Sequence, residues 1–179
     1  RSKAAEWNID KKKIGATGGS AGACSSLWLA FHDDMADPKS TDPIARESTR
    51  LYCAAVQGAQ SWLDPKELLE WMPNYIYGSH AFALKGIKEM VAEREKILPW
   101  IKKYSAIEHV SKDDPPIGLY YTGVKGAKKG ENHPDPTHSP MLGLLLAERL
   151  KAAGVEHVMV WTDQLNEKLP NANVFLIEH

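Results

Sequence analysis

The sequence lacks the features that mark several classes of protein. Its 179 residues include two cysteines, Cys24 and Cys53, and both lie in apolar segments, which favours small core residues over a structural disulfide. No apolar run approaches the ~20 residues that a membrane-spanning helix needs. The formal net charge is -1, so electrostatics favour neither nucleic acid nor an anionic membrane as a partner. No signal peptide is visible, but the chain opens in mid-pattern, which leaves its localisation open.

What remains is an ordinary globular composition, in which strand-like and helix-like segments alternate. Hydrophobic residues make up 43% of the chain and charged residues 25%, enough for one domain with a core. Four apolar runs of strand length occur, in KKKIGATG, LYCAAVQGA, PPIGLYYTG and HVMVW. Helical spacing follows the first run over residues 21–35 and the third over residues 141–153. The order predicts an α/β fold, with a parallel sheet flanked by helices, as a single domain over residues 1–179.

Residues 64–110 show helix signals without strand signals, and we interpret them as a helical, cap-like insert in this domain. Asp64 before Pro65 is typical of a helix start, as is Ser139 before Pro140 further along the chain. Within the insert, Ser79 is expected to open a long helix that runs towards residue 98 and is interrupted by Pro99. Gly154 is placed to end the helix after Ser139, and the tail NVFLIEH could begin a last helix.

The segment GGSAG places Ser20 between glycines, after a strand and before a helix. An abrupt strand-to-helix turn strains the backbone of the serine and brings neighbouring backbone so close that Cβ atoms at Gly18 and Gly22 would clash. It also lifts the serine Oγ to the carboxyl edge of the sheet and aims the N–H of Ala21 at a developing oxyanion. The pattern predicts a nucleophile elbow, and an ordinary glycine turn is the alternative.

The segment NIDKKKIGATGGSAGACSSLWLAF resembles the elbow of the α/β-hydrolase superfamily, in particular its esterase and lipase branch of carboxylesterase and acyl-esterase domains. YSAIEHVSKDDPPIGLYYTG and SPMLGLLLAERLKAAGVE are similar to that family's approach to its next-to-last core strand and to the helix that follows. The resemblance spans nearly the whole chain. It implies a serine carboxylesterase that acts on small or acyl esters through an acyl-enzyme on Ser20.

The same resemblance implies that part of the fold is missing. In that family the elbow follows the fifth of eight strands, and an earlier loop supplies the second oxyanion donor; nothing in residues 1–10 resembles that loop. We therefore expect a fragment, a reduced member of the family, or a sheet completed by a second polypeptide. Because half a sheet leaves a strand edge unpaired, we expect a homo-oligomer or a complementing N-terminal half.

A serine nucleophile needs a base and an acid, and the resemblance places the acid after the next-to-last strand and the histidine after the last. Residues 158–178, however, contain no histidine. His133 and His138 lie instead in the loop after the next-to-last strand, which also opens at the carboxyl edge of the sheet. We favour His138, just before the helix cap, as a non-standard base. Asp135 is preferred to Glu131 as the acid, because it lies closer to the following helix.

Alternatives to this site remain open. His138 and Asp135 could be ordinary loop residues, and the chain a catalytically impaired pseudo-hydrolase that binds or assembles. Glu131, His133, Asp135 and His138 are metal-ligand types, which raises a metal-dependent hydrolase. The prolines among them restrict how the loop can wrap, so we expect no metal and no other cofactor. Large side chains around the insert could line an acyl pocket, although they are more typical of an insert core: Trp62, Trp71, Met72, Tyr75, Tyr77 and Phe82.

Overall fold

The computed structural model describes residues 1–179 and contains one sheet of four short strands. The strands are β1 (Ala16–Gly19), β2 (Ala54–Gln57), β3 (Ile117–Tyr120) and β4 (His157–Val160). They lie in the order β1-β2-β3-β4 and every neighbouring pair is parallel. Parallel neighbours need long crossover connections, and each connection here contains helices. The predicted parallel sheet flanked by helices is therefore confirmed.

Seven helices accompany the sheet. They are α1 (Ala4–Trp7), α2 (Ala21–Phe31), α3 (Pro65–Trp71), α4 (Ile87–Ala92), α5 (Arg94–Tyr104), α6 (Pro140–Ala153) and α7 (Ala172–Glu178). Short 3₁₀ turns at Ser79–Phe82 and Ala106–His109 complete the structure. No helix of this chain combines the length and the apolar character that crossing a membrane requires.

Both faces of the sheet are buried, as is usual for parallel strands. Alternation along β2 places Ala54 and Val56 in a large core cluster with residues of α2, α3 and α6. Cys53 and Ala55 face the other way and pack in a smaller cluster with Phe175 of α7 and its neighbours. Two free cysteines are present and no disulfide forms.

The capping residues confirm the expected helix boundaries. The side chain of Asp64 accepts a hydrogen bond from the N–H of Lys66 at 3.0 Å and starts α3. Ser139 Oγ accepts from the N–H of Met141 at 3.1 Å and starts α6. Gly154 ends α6 with a φ of 77°, in the left-handed region that glycine favours.

The long helix predicted after Ser79 is wrong. The 3₁₀ turn that begins there ends at Phe82, because the next residue, Ala83, has a left-handed φ of 57°, and helical structure resumes only with α4. α5 begins at Arg94, whose guanidinium bonds to Asp64 with Nη2 2.6 Å from Oδ2 and so fixes the new helix start against α3. Pro99 lies inside α5 rather than at its end. The helix therefore breaks at Ala83, well before the proline.

α2 ends at Phe31, four residues before the predicted end at Met35. The loop that follows is held by Asp34, whose Oδ1 accepts hydrogen bonds from the N–H groups of Ala36 and Thr49 at 3.0 and 2.9 Å. A carboxylate that bonds nearby backbone in this way competes with helix continuation.

Candidate active site

Ser20 lies at the junction of β1 and α2, and its backbone joins the two elements. Its N–H donates to Gln57 O at 3.0 Å, which extends the pairing with β2, and its carbonyl accepts from the N–H of Cys24 at 3.1 Å. The φ of 50° and ψ of -117° are values that a residue with a side chain rarely adopts. Such strain persists only where surrounding structure imposes it, and it concentrates at functional sites. Ala21 follows as the first residue of α2, where N–H groups have no partner within the helix.

The two glycines that flank Ser20 differ in their surroundings. A Cβ at Gly18 would lie 2.5 Å from the carbonyl carbon of Gly22 and 2.6 Å from its oxygen, so Gly18 must lack a side chain. A Cβ at Gly22 would meet nothing within 4 Å. The expectation of a clash is therefore right for Gly18 and wrong for Gly22. The asymmetry arises because the backbone of Gly22, in the first turn of α2, folds back over β1.

His138 and Asp135 meet Ser20 at the carboxyl edge of the sheet. His138 Nε2 lies 3.0 Å from Ser20 Oγ, and His138 Nδ1 lies 2.9 Å from Asp135 Oδ2. Because a carboxylate can only accept, Nδ1 carries the proton and Nε2 is free to accept the serine hydroxyl proton. The backbone N–H of His138 also donates to Asp135 Oδ1, at 3.2 Å. The three side chains thus form one hydrogen-bonded series from Asp135 through His138 to Ser20, in which His138 and Ser20 are 118 residues apart in sequence.

The charge state of Asp135 suits this arrangement. Partial burial raises the pKa of its carboxyl, but the hydrogen bonds from the ring and the backbone of His138 outweigh burial and hold the pKa below its usual value. The carboxylate is therefore ionised at neutral pH. Both partners remain open to solvent, with side-chain exposure of 41% for His138 and 52% for Asp135.

The other candidates from the same loop take different positions. His133 is buried, with Nδ1 2.6 Å from Ser139 Oγ and Nε2 3.0 Å from Lys128 O. Since both ring nitrogens have partners within the protein, this histidine supports the loop and is not placed as a base. Glu131 is exposed and forms no part of the Ser20 series. No group of three His, Cys, Asp or Glu side chains converges as a metal site would require.

A cavity of about 620 Å³ lies beside Ser20 and His138. Its walls come from the carboxyl ends of all four strands and from residues near the start of α7: Gly19, Gln57, Gly58, Tyr120, Tyr121, Thr122, Val160, Trp161, Thr162, Leu165, Pro170, Asn171 and Ala172. No residue of the insert is among them. The insert residues Trp71, Met72 and Tyr75 are buried in the main core instead, with Trp62 and Tyr77 packed against it. Phe82 packs against a separate cluster around Met90. The structure therefore supports the interpretation of these side chains as core residues and not as the lining of an acyl pocket.

Two residues of the site escape sequence reasoning, Gly58 and Gln60. Gly58 has a φ of 57°, and a Cβ there would lie 3.2 Å from Cδ2 of His138, so this position favours glycine on both counts. Gln60 is 2% exposed although its side chain is polar. Gly58 directly follows β2 and Gln60 lies three residues beyond its end, at the edge where parallel sheets carry their sites. A glycine and a buried amide interrupting an apolar run at that edge are the signal that could have found them.

Comparison with known proteins agrees with the fold. The BD-FAE family model matches residues 1–124. No curated protein matches the chain. The acetyl ester-xyloside bifunctional hydrolase of Caldicellulosiruptor lactoaceticus is similar in structure, with 22% identity, a TM-score of 0.59, and coverage of 89% of this chain and 49% of that one. A truncated carbohydrate esterase from gut microbiota gives 18% identity, a TM-score of 0.59, and coverage of 89% and 54%.

The thermophilic esterase Est2 of the planctomycete Thermogutta terrifontis is a third similar structure. It gives 21% identity, a TM-score of 0.59, and coverage of 98% of this chain and 55% of that one. The same esterase has also been solved phosphonylated by sarin. At these identities the likeness shows the fold, and the chain spans about half the length of the solved proteins that it matches. Because the family model covers more than half of the chain, on a fold shared with solved esterases, the chain belongs to the BD-FAE family, an esterase family of the α/β-hydrolase type.

Proposed function

We propose that this chain is a serine carboxylic ester hydrolase, in which Ser20 is the nucleophile, His138 the base and Asp135 the acid. The observation that carries the proposal is the continuous hydrogen bonding from Asp135 through His138 to Ser20 Oγ. A serine hydroxyl is a weak nucleophile at neutral pH, and an oriented imidazole within hydrogen-bond distance is the usual means of activating it.

The chemistry follows the donors and acceptors of this series. His138 Nε2 takes the hydroxyl proton as Ser20 Oγ attacks the ester carbonyl, while ionised Asp135 stabilises the imidazolium through Nδ1–H. The tetrahedral intermediate collapses, the alcohol leaves with the proton from Nε2, and an acyl group stays on Ser20. Water, deprotonated by the same nitrogen, then attacks the acyl carbonyl, and the acyl–Oγ bond breaks as Ser20 Oγ takes that proton back and the carboxylic acid leaves. The N–H of Ala21, at the start of α2, stabilises the oxyanion in both steps.

The cavity beside Ser20 suits a small-molecule ester. Its volume of about 620 Å³ falls within the range of small-molecule sites, and tyrosine, tryptophan and leucine side chains in its wall favour apolar contact with a substrate. The names of two similar structures, an acetyl ester-xyloside hydrolase and a carbohydrate esterase, support short acyl esters of sugars as the first substrates to test.

The sheet edge at β1 supports a further part of the proposal. β1 pairs with β2 on one side, and Thr17 and Gly19 are exposed. An exposed strand edge is a template for pairing, so a second copy or a complementing N-terminal half is expected to cover it. Sedimentation velocity at rising concentration tests self-association, and addition of a synthetic N-terminal half tests complementation. A chain that stays monomeric in both experiments contradicts this expectation.

A catalytically impaired domain that binds ligands is the second candidate. The exposure of the acid and the base favours it, because water competes for the hydrogen bonds that orient His138. The two candidates differ in whether Ser20 is activated, which a covalent probe reports without knowledge of the substrate.

The experiment is incubation with a fluorophosphonate, followed by intact-mass and peptide analysis, alongside hydrolysis of p-nitrophenyl acetate. We expect one adduct, on Ser20, and turnover that falls by about 10⁴-fold or more in Ser20→Ala and in His138→Ala. The exposed Ser25, five residues further along α2, provides the matched control, and Ser25→Ala should label and turn over as the wild type does. Absence of an adduct on Ser20 would contradict the esterase and leave the binding domain.

A further inference from the structure

Gln60 is a buried amide three residues beyond the end of β2. It is 2% exposed, and it lies at the carboxyl edge of the sheet close to the Ser20 series. A buried primary amide is costly unless its donors and its acceptor all have partners. The partners of Gln60 therefore show what this position does.

All the polar atoms of the Gln60 side chain are engaged. Nε2 donates to Gly58 O and to Thr137 O, each at 2.9 Å. Oε1 lies 3.2 Å from the thiol of Cys24, which can donate to it. The assignment of nitrogen and oxygen is fixed by chemistry, because two carbonyl groups on one side require the NH₂ group there.

Each partner belongs to a different segment that carries the site. Thr137 directly precedes His138. Gly58 lies against the ring of His138, since a Cβ on it would approach Cδ2 to 3.2 Å. Cys24 lies in α2, and its N–H donates to the carbonyl of Ser20 in the first turn of the helix. One side chain thus joins α2, the loop after β2 and the loop between β3 and α6 that contains His138, called the base loop below.

We propose that Gln60 is a positioning residue that holds His138 over Ser20; this inference rests on the proposed function. The Nε2 bond to Thr137 fixes the backbone directly before His138, while Ser139, directly after it, is fixed by its bonds to His133 and Met141. Loss of the amide removes the first anchor and leaves two carbonyl groups without a donor. The ring of His138, 41% exposed, then swings away from Ser20 Oγ.

The test compares Gln60→Met with Ser61→Ala. Methionine keeps the length of the side chain and removes its donors. Ser61 is the matched control, because it is also buried and its Oγ donates to Leu142 O at 3.0 Å, so its loss removes a buried hydrogen bond that does not reach His138. The readouts are the rate of fluorophosphonate labelling across pH, the NMR signal of the His138 Nδ1–H proton, and the midpoint of urea unfolding.

In Gln60→Met we expect labelling to slow by about 10- to 100-fold, since a displacement of about 1 Å at a catalytic group has effects of that size. The signal of the Nδ1–H proton should broaden or vanish. In Ser61→Ala, labelling and that signal should stay within twofold of the wild type, even where the unfolding midpoint falls equally. A folded Gln60→Met with wild-type labelling and an unchanged His138 signal overturns the proposal.

Failure of the esterase and failure of this inference give different results. If wild-type Ser20 takes no label, the proposed activity fails, and the His138 proton signal in the two variants still decides the role of Gln60. If Gln60→Met does not fold, hydrogen exchange of the Gln60 side-chain amide in the wild-type protein tests the proposal instead. Slow exchange of both Gln60 side-chain amide protons supports the proposal, and exchange as fast as that of exposed Gln164 overturns it.

Discussion

Ser20 and His138, the proposed nucleophile and base, are held in place in different ways. Ser20 lies in a contiguous segment, residues 16–22, where strand pairing, a close backbone approach at Gly18 and the first turn of α2 fix it. His138 lies near the end of a connection from residue 121 to residue 139 that contains no helix or strand. Its position depends on side chains far away in sequence, such as Gln60, which is 77 residues before Thr137.

The insert carries much of that distant support. Asn74 Oδ1 accepts from the N–H of His133 at 3.1 Å, and Asn74 Nδ2 donates to His133 O at 2.7 Å. The N–H of Gly130 donates to Trp71 O, also at 2.7 Å. The insert lies away from the cavity wall and bonds to the loop that contains His138, the proposed base. Its observed contacts are those of a support for the base loop.

The difference teaches that one half of the site is specified by neighbouring residues and the other by tertiary contacts. Changes at the junction of β1 and α2 should therefore act mainly on folding stability, because they disturb the pairing of β1 with β2 and the first turn of α2. Changes at the loop anchors should act more on the geometry of the base than on the fold as a whole.

Among the changes at the junction of β1 and α2, Gly18→Ala should have the largest effect on folding stability. The new Cβ overlaps the backbone of Gly22 at 2.5 Å, and backbone cannot move aside as a flexible side chain can. We expect a loss of about 3 kcal/mol in the free energy of unfolding, measured by urea denaturation.

Gly22→Ala is the matched partner of Gly18→Ala. Alanine in the first turn of α2 meets nothing within 4 Å and has the higher helix propensity, so stability should be unchanged or rise by up to about 1 kcal/mol. Equal losses in the two variants would show that the close approach at Gly18 does not govern this turn.

The contrast between the two halves also describes how much the sequence could predict. The alternation of apolar runs predicts the parallel sheet, and GGSAG predicts where the strand becomes the helix, since both signals lie within a few neighbouring residues. His138 and Asp135 could be named because the topology brings the loop after β3 to the same edge as Ser20.

Other features could not be predicted because their causes lie far along the chain. The asymmetry between Gly18 and Gly22 depends on which backbone folds over which. The start of α5 at Arg94 is held by an ion pair with Asp64, 30 residues away in sequence. Asn74 supports His133 from 59 residues away, and no local pattern marks that pairing.

Asn74→Ala should loosen the loop that contains His138, with a smaller effect on folding stability than Gly18→Ala. The change leaves the N–H and the carbonyl of His133 without their side-chain partner, which costs about 1–3 kcal/mol when such groups are poorly hydrated. Because the anchored backbone lies five residues before His138, labelling of Ser20 by fluorophosphonate should slow by about tenfold. Asn132→Ala, at an exposed position in the same loop, should change neither quantity.

An outcome in which Asn74→Ala loses stability but labels at the wild-type rate would separate the insert from the site. The loop would then be held over Ser20 by Gln60 and Ser139 alone, and the contacts of the insert would be structural only.

The smallest expected effect is the difference in stability between Ser20→Gly and Ser20→Ala, which tests whether neighbouring residues strain the backbone of Ser20. Its φ of 50° and ψ of -117° strain any residue that has a Cβ, at a cost of about 1–3 kcal/mol, and glycine adopts positive φ with far less strain. Both Ser20→Gly and Ser20→Ala remove the hydroxyl and its bond to His138, so the difference between them isolates the backbone. We expect Ser20→Gly to be the more stable of the two by about 1 kcal/mol in urea denaturation, less than the full strain because glycine also gains freedom in the unfolded chain.

A more stable Ser20→Ala would mean that the junction of β1 and α2 relaxes once the hydroxyl is lost. In that case the hydrogen bond to His138, and not the local backbone, holds the strained turn. That result would mean that neighbouring residues do not hold the backbone of Ser20 by themselves. Both Ser20 and His138 would then depend on the loop that contains His138.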